Sequence, residues 1–283
     1  MSDKNNLLVP AYFDQILVSF DPAQDARCVH LGYWENDEQA RENFNDFLFA
    51  QTRLNTWLIE SLSVKNGSAV LDVGCGLGAT LESLNASLTD ARLVGVNIDD
   101  RQLQACRTLA AKNRNRLQWQ LADACSLPFP DNSFDAVISV EAMFHFSSRK
   151  TFFQEVQRVL KPCGRFVATD MVIDESLQEL STPGFLIEAA LQDGYGPWPD
   201  FWGQEANHIA LAETLGLTKI RHQDISQQTL PSYRFTTPSD INWLHDSDDI
   251  ATRSALTLRW LHENKYLRYL AMAFEKESVD FNP

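Results

Sequence analysis

The stretch Val70-Leu71-Asp72-Val73-Gly74-Cys75-Gly76-Leu77-Gly78 decides how this chain folds. A short apolar run carries one acidic residue, breaks into glycines at alternate positions and is followed by a helix-length segment. Glycine lets a backbone turn sharply and lets a ligand approach where a side chain would collide. At the carboxyl edge of a parallel sheet, such a turn is where nucleotides bind.

The surrounding sequence supplies that sheet. From Ala69 to Ile173, short apolar runs (69–73, 92–96, 117–121, 136–140 and 164–169) alternate with helix-length segments. That alternation implies right-handed crossovers and a parallel sheet. The pattern resumes with a strand at Leu217 to Ile225, a helix over about 238–264 and a last strand from Tyr266 to Phe274. The expected architecture is α/β: a Rossmann-like seven-stranded sheet, last strand antiparallel. Helical spacing in Ala40 to Leu62 makes residues 1–60 an N-terminal helical cover on a domain over 61–283. Residues 174–210 lose the alternation and carry Pro183-Gly184, Gly194 and Gly196-Pro197-Trp198-Pro199, as an inserted aromatic lid would.

Composition narrows the function. The 283 residues fit one large domain or two small ones. With 38 acidic against 24 basic side chains the net charge is -14, which would repel a nucleic-acid backbone. The five cysteines are odd in number and never spaced Cys-x-x-Cys, which argues against a disulfide framework and a zinc ribbon. The polar start Met1-Ser2-Asp3-Lys4 lacks a signal-peptide pattern, and no run reaches the ~18 apolar residues of a membrane span. The expectation is a cytoplasmic protein without a membrane span. Asp248-Asp249 and Asp99-Asp100 lack a His or Glu at ligand spacing, so no metal is expected. Asp99 and Asp100 read better as a helix cap.

The loop's ligand follows from charge. Gly-x-Gly-x-Gly departs from the Gly-x-Gly-x-x-Gly of a dinucleotide site, whose helix N-terminus must hold a pyrophosphate. Asp72 would oppose a pyrophosphate but suits a ligand with a cationic amino-acid end. S-adenosylmethionine has such an end; a nicotinamide cofactor and a ligand-free turn remain the alternatives on spacing alone.

Three further segments bear on that choice: Gly95-Val96-Asn97-Ile98, the run Ala122-Asp123-Ala124-Cys125-Ser126-Leu127-Pro128-Phe129-Pro130 with Asp131 to Asp135, and Arg158 to Gly164. With the glycine loop, these four ordered motifs resemble the class I S-adenosylmethionine-dependent methyltransferases over roughly residues 60–175. The small-molecule subset, acting on natural products and metabolites, is the nearest in pattern. The resemblance implies that Gly74, Cys75 and Gly76 border the methionine portion of S-adenosylmethionine and that Asp72 orders the loop and the amino group. It implies that Asp123, with Ala124 beside it, accepts from the adenine amino group, although Asp123 also reads as a cap before Ser126. Many members have an acid where this chain has Asn97. Against the small-molecule subset, Asn97, Ile98 and Gln102 line up, which implies that Gln102 helps hold the ribose. Cys163 stands where a glycine is usual and carries no functional meaning.

The acceptor side follows. After strand four comes Glu141-Ala142-Met143-Phe144-His145-Phe146. In related enzymes such a Glu-x-x-x-His lies above the sulfonium, making Glu141 a cofactor-binding and catalytic candidate and His145 a candidate general base. A histidine's ordinary pKa suits that task, and a merely orienting role is the alternative. Tyr12 and the His30-Leu31-Gly32-Tyr33-Trp34 stretch resemble segments that cover the cofactor. Tyr12 is a catalytic candidate, and Tyr33, Trp34, Phe144, Tyr195, Trp198 and Trp202 are candidates for the acceptor pocket. His208, His222, His245 and His262 read as structural residues without partners. All six tyrosines and all tryptophans except Trp119 fall outside 70–173, so the rings concentrate where an acceptor would be covered. The expected activity is methyl transfer to a small, largely apolar or cationic metabolite at oxygen, nitrogen or carbon. The alternative is a protein of this fold that keeps the cofactor but catalyses another reaction, such as a cyclisation.

Overall fold

The computed structural model describes residues 9–10, 12–21, 26–36, 43–180, 184–200, 205–238 and 249–278. Its strands are β1 (Ala69–Val73), β2 (Arg92–Asn97), β3 (Arg116–Leu121), β4 (Phe134–Ser139), β5 (Leu160–Ile173), β6 (Leu217–Asp224) and β7 (Leu267–Lys276). They form one sheet in the order β3-β2-β1-β4-β5-β7-β6. β1 to β5 pair in parallel, and β7 runs antiparallel to both neighbours. All five β1 residues are buried, as a central parallel strand covered on both faces requires. The edge strand β6 exposes Lys219, Arg221 and Gln223, side chains that discourage pairing with another sheet.

The helices are α1 (Tyr12–Ser19), α2 (Phe44–Leu62), α3 (Ala79–Ser87), α4 (Asp100–Cys106), α5 (Arg149–Val159), α6 (Gly184–Tyr195), α7 (Glu205–Thr214), the single turns α8 (Ser226–Thr229) and α9 (Tyr233–Thr236), and α10 (Ile250–Glu263). α2 begins where Asn43 caps it, accepting from Asn45 N–H at 3.0 Å, and buries Phe47, Leu54, Leu58 and Leu62. Asp99 caps α4 by accepting from Arg101 N–H at 2.9 Å.

Within 174–210, a short turn at Glu175–Glu179 precedes α6, and α7 packs against β6. α6 lies on α10 so closely that a Cβ on Gly194 would fall 2.2 Å from Ser254 Oγ. β5 continues past Thr169 to Ile173 because β7 pairs with it along that whole stretch. The sheet reverses its order of connection between β1 and β4. The crevice beyond their carboxyl ends is therefore where a ligand is expected.

Candidate functional site

Four strand ends build this crevice. Gly74 and Cys75 donate their N–H groups to Val96 O at 2.9 and 3.0 Å, which ties the glycine loop after β1 to the end of β2. Gly74, Gly76 and Gly78 have φ of 74°, 52° and 90°, the left-handed region that glycine enters without penalty. The first two of these glycines do different work. A Cβ on Gly74 would lie 2.6 Å from Ala142 Cβ, so Gly74 permits the loops after β1 and β4 to touch. A Cβ on Gly76 would meet only Val29 Cγ2, at 3.3 Å.

A cavity of about 370 Å³ opens over this loop. It brings together all the residues assigned by sequence to the donor: Asp72, Gly74, Cys75, Gly76, Asn97, Ile98, Gln102, Asp123, Ala124 and Glu141. The side chain of Cys75 packs with Leu103, Cys106 and Trp119. Asn97 Nδ2 donates to Gln102 Oε1 at 2.9 Å, and Asn97 Oδ1 accepts from Asp99 N–H at 3.2 Å. Asn97 thus orients Gln102. Asp123 Oδ1 accepts from Cys125 N–H at 2.8 Å and closes a turn; no helix follows it, so the expected helix cap before Ser126 is not formed, and Asp123 stands in the cavity wall.

Burial sets the protonation of two carboxyls here. It pushes Asp72 up to about 7. It also pushes Glu141 up to about 7, against the opposing pull of hydrogen bonds from Tyr269 and Leu31. Glu141 has φ 50°, a strained setting for a residue with a side chain. Its N–H donates to Thr169 Oγ1, and its Oε2 accepts from Tyr269 OH at 2.7 Å and Leu31 N–H at 2.9 Å.

The described stretch 26–36 before α2 crosses the crevice and is pinned at both ends. Arg27 donates to Leu77 O, Ala105 O and Thr108 Oγ1, and Gly32 N–H donates to Ser232 Oγ. On α1, Asp14 pairs with Arg101. Tyr12 and His145 line the cavity, with Tyr12 OH 2.9 Å from His145 Nε2. His145 Nδ1 is buried without a partner. Burial pulls His145 down to about 3 and drives Tyr12 well above its ordinary value.

Of the expected acceptor-pocket residues, Phe144, Tyr195 and Trp198 line the cavity, with the Phe144 and Trp198 rings 4.5 Å apart. Tyr33 and Trp34 do not, which corrects the expectation for both. Tyr33 stacks on Trp57, and buried Trp34 donates Nε1–H to Ser232 Oγ and stacks on Phe235. They fix the covering segment from behind. Trp202 lies outside the described residues.

The sequence also misses a buried anchor under the Pro197–Pro199 wall. Arg149 binds both oxygens of Asp170, at 2.6 and 3.2 Å, and donates to Asp200 O and Pro199 O. His208 Nε2 lies 2.8 Å from Asp170 Oδ2, and His262 Nδ1 lies 3.3 Å from Tyr233 OH; neither histidine lacks a partner, contrary to expectation. Against the upward push of burial, Arg149 and His208 hold the Asp170 carboxyl below its usual range. Among the described residues no group of three or more His, Cys, Asp or Glu could hold a metal ion, and no helix is long and apolar enough to cross a membrane.

Comparison with known proteins places these features in a family. Residues 71–168 match the family model described as a methyltransferase domain. The chain is 33% identical over 208 residues to the methyltransferase GfsG of Streptomyces halstedii, covering 72% of this chain and 70% of that protein. It is 30% identical over 207 residues to the 27-O-demethylrifamycin SV methyltransferase of Amycolatopsis mediterranei, covering 72% of each. It spans about half the length of the fungal O-methyltransferases that it also matches. Among solved structures, the 4+2 cyclase SpnF superimposes with a TM-score of 0.70 at 22% identity, over 94% of each chain, a likeness of fold.

Proposed function

Because the chain belongs to the class I S-adenosylmethionine-dependent methyltransferases, we propose that it methylates a hydroxyl of a small, largely apolar metabolite and that Tyr12 and His145 receive the hydroxyl proton. That the donor is S-adenosylmethionine and the acceptor a small molecule follows from the family. The hydroxyl and the proton path are our reading. The observation that carries it is the Tyr12 OH to His145 Nε2 contact of 2.9 Å in the cavity wall. The rifamycin-modifying relative, a methyltransferase named for an oxygen acceptor, supports the same reading.

The residues fit the donor. Gly76 leaves its side-chain space open to the cavity, and Asp72 and Glu141 offer carboxyls to an ammonium group. Asp123 and the Asn97–Gln102 pair line the adenosine side. When bound, S-adenosylmethionine supplies a methyl group on a positive sulfur.

The protein's part in the transfer is positioning and proton removal. Holding two reactants in line supplies much of a displacement's rate. The acceptor's proton passes to the Tyr12 oxygen while Tyr12's own proton passes to His145 Nε2. One O–H bond breaks at the acceptor, Tyr12 is left as it began, and an N–H bond forms on the imidazole. This relay avoids a tyrosinate, which burial disfavours strongly at Tyr12. The cost of charging the buried imidazole would be offset by the donor, which when bound supplies a cationic sulfur that methyl transfer neutralises.

An extract incubated with the enzyme and a donor carrying an isotopically labelled methyl group tests the reading by mass spectrometry. The expected product carries the label as a methoxy group, formed together with S-adenosylhomocysteine. Label on carbon or nitrogen would refute the hydroxyl acceptor. A product formed without S-adenosylhomocysteine would point to a non-methylating reaction such as a cyclisation.

A pH dependence follows from the two carboxyls. Asp72 and Glu141 hold their protons up to about pH 7 in the folded protein, and a cationic ligand favours their ionised forms. Donor binding should therefore release protons below pH 7. Its affinity should rise with pH toward about 7.5 and fall once the donor's amino group, with a pKa of about 8, loses its charge. Calorimetry in buffers of different ionisation heat measures the release directly; proton uptake at pH 6 would contradict it.

A further inference from the structure

His30 occupies a place that its two neighbours define. Val29 Cγ2 lies 3.3 Å from where a Cβ on Gly76 would stand, and Leu31 N–H donates to Glu141 Oε2 at 2.9 Å. The His30 main chain is therefore bracketed between the glycine loop after β1 and the acid after β4. The residue is buried, 6% exposed, and lines the cavity. Gln51 Nε2 donates to His30 O at 2.6 Å and fixes the backbone from the α2 side.

The tautomer of this histidine follows from the geometry. His30 Nδ1 lies 2.7 Å from Leu31 O. A carbonyl oxygen only accepts, so Nδ1 carries the proton and Nε2 presents a lone pair. That Nε2 is buried and has no partner. A buried acceptor without a donor carries a desolvation cost, and a group entering the cavity can remove it. Burial also holds the imidazole below its ordinary pKa, which keeps the lone pair available at neutral pH.

The sheet order says which donor can reach it. Along the carboxyl edge come β3, β2, β1 and β4, so Asp123 and Asn97 lie to one side of the glycine loop and Glu141 to the other. His30 stands on the Glu141 side, away from the residues that line the adenosine end. We propose that His30 Nε2 accepts a hydrogen bond from the ammonium group of the donor's amino-acid end, completing with Asp72 and Glu141 a nest of three acceptors around that cation. The proposal rests on S-adenosylmethionine being the donor. It makes His30 a binding residue for the donor, distinct from the proton path through Tyr12 and His145.

Calorimetric titration of wild type, His30→Phe and His30→Gln with three ligands tests this. The ligands are S-adenosylhomocysteine, its analogue with hydrogen in place of the amino group, and 5′-methylthioadenosine, which lacks the amino-acid end. His30→Phe should weaken S-adenosylhomocysteine by about 10- to 100-fold, the worth of one hydrogen bond to a charged group. The two ligands without the ammonium group should bind to it as to wild type, which also shows that the variant is folded. His30→Gln keeps an acceptor and should recover most of the loss. Equal weakening of all three ligands would overturn the proposal, since His30 would then only shape the cavity. Unchanged S-adenosylhomocysteine affinity in His30→Phe would overturn it too. A wild-type protein that binds none of the three would instead sink the donor assignment.

Discussion

Replacing Gly76 by Val should weaken S-adenosylmethionine binding by more than about 100-fold, or about 2.7 kcal/mol, in a protein that still folds. The argument compares two glycines of one loop. At Gly74 the missing side chain is what lets Ala142 approach, because a Cβ would stand 2.6 Å from Ala142 Cβ. At Gly76 the same construction meets only Val29 Cγ2 at 3.3 Å, and the residue lines the cavity. A valine there spends its γ-methyls on the ligand's space. It also forces a β-branched residue to φ 52°, at a cost of about 1–3 kcal/mol to the fold. Gly76→Ala carries a similar backbone strain without filling the cavity and separates the two effects. Gly74→Ala should lower stability, read as the denaturant midpoint, more than it lowers affinity. The measurements are calorimetric affinity and unfolding of the ligand-free protein. A folded Gly76→Val protein with unchanged donor affinity would place the donor elsewhere.

That the residues proposed for the donor would line one cavity was legible because their signals are local. Strand β1, the glycine loop and the N-terminus of α3 lie within 69–87, and Asn97, Ile98 and Gln102 sit within six residues that run from the end of β2 into α4. Burial of β1 on both faces and the glycine requirement at φ > 0 both write themselves into adjacent residues. Strand and helix types in this region followed from periodicity for the same reason.

The acceptor half was read less well because its contacts are long-range. Tyr33 and Trp34 follow a segment that does cover the cavity, but a motif does not say which face a ring takes. Trp57 draws Tyr33 to α2, and Ser232, about 200 residues away, takes the Trp34 indole. The Arg149–Asp170–His208 anchor joins α5, β5 and α7, elements whose adjacency is set by the sheet order rather than by spacing. The accepting nitrogen of His30 is hidden for another reason: a neighbouring main-chain carbonyl sets its tautomer, and backbone conformation decides that.

Long-range geometry also yields the sharpest catalytic expectation. His145→Ala and Tyr12→Phe should each lower turnover by about 100-fold, the lower end of what a positioned base contributes. The double variant should be hardly slower than either, because two groups in one relay fail as a unit. Tyr12→Phe keeps the ring that packs edge-on against Tyr195, 5.1 Å between centroids, so it removes the hydroxyl with little change in shape. The loss should fall on kcat, with donor affinity nearly unchanged, since neither side chain is among the acceptors assigned to the donor. The pH profile supplies an independent reading. Burial pulls His145 to about 3, so its protonated form is absent above about pH 5 and cannot limit the rate there. Between pH 6 and 8, kcat at saturating donor should be flat, while kcat/KM for the donor should rise with ionisation of Asp72 and Glu141. A rising limb in kcat near 6.5 that disappears in His145→Ala would mean an imidazole with an ordinary pKa. Tyr12→Phe retaining more than about a third of the wild-type rate would take the proton path off Tyr12 and overturn the relay.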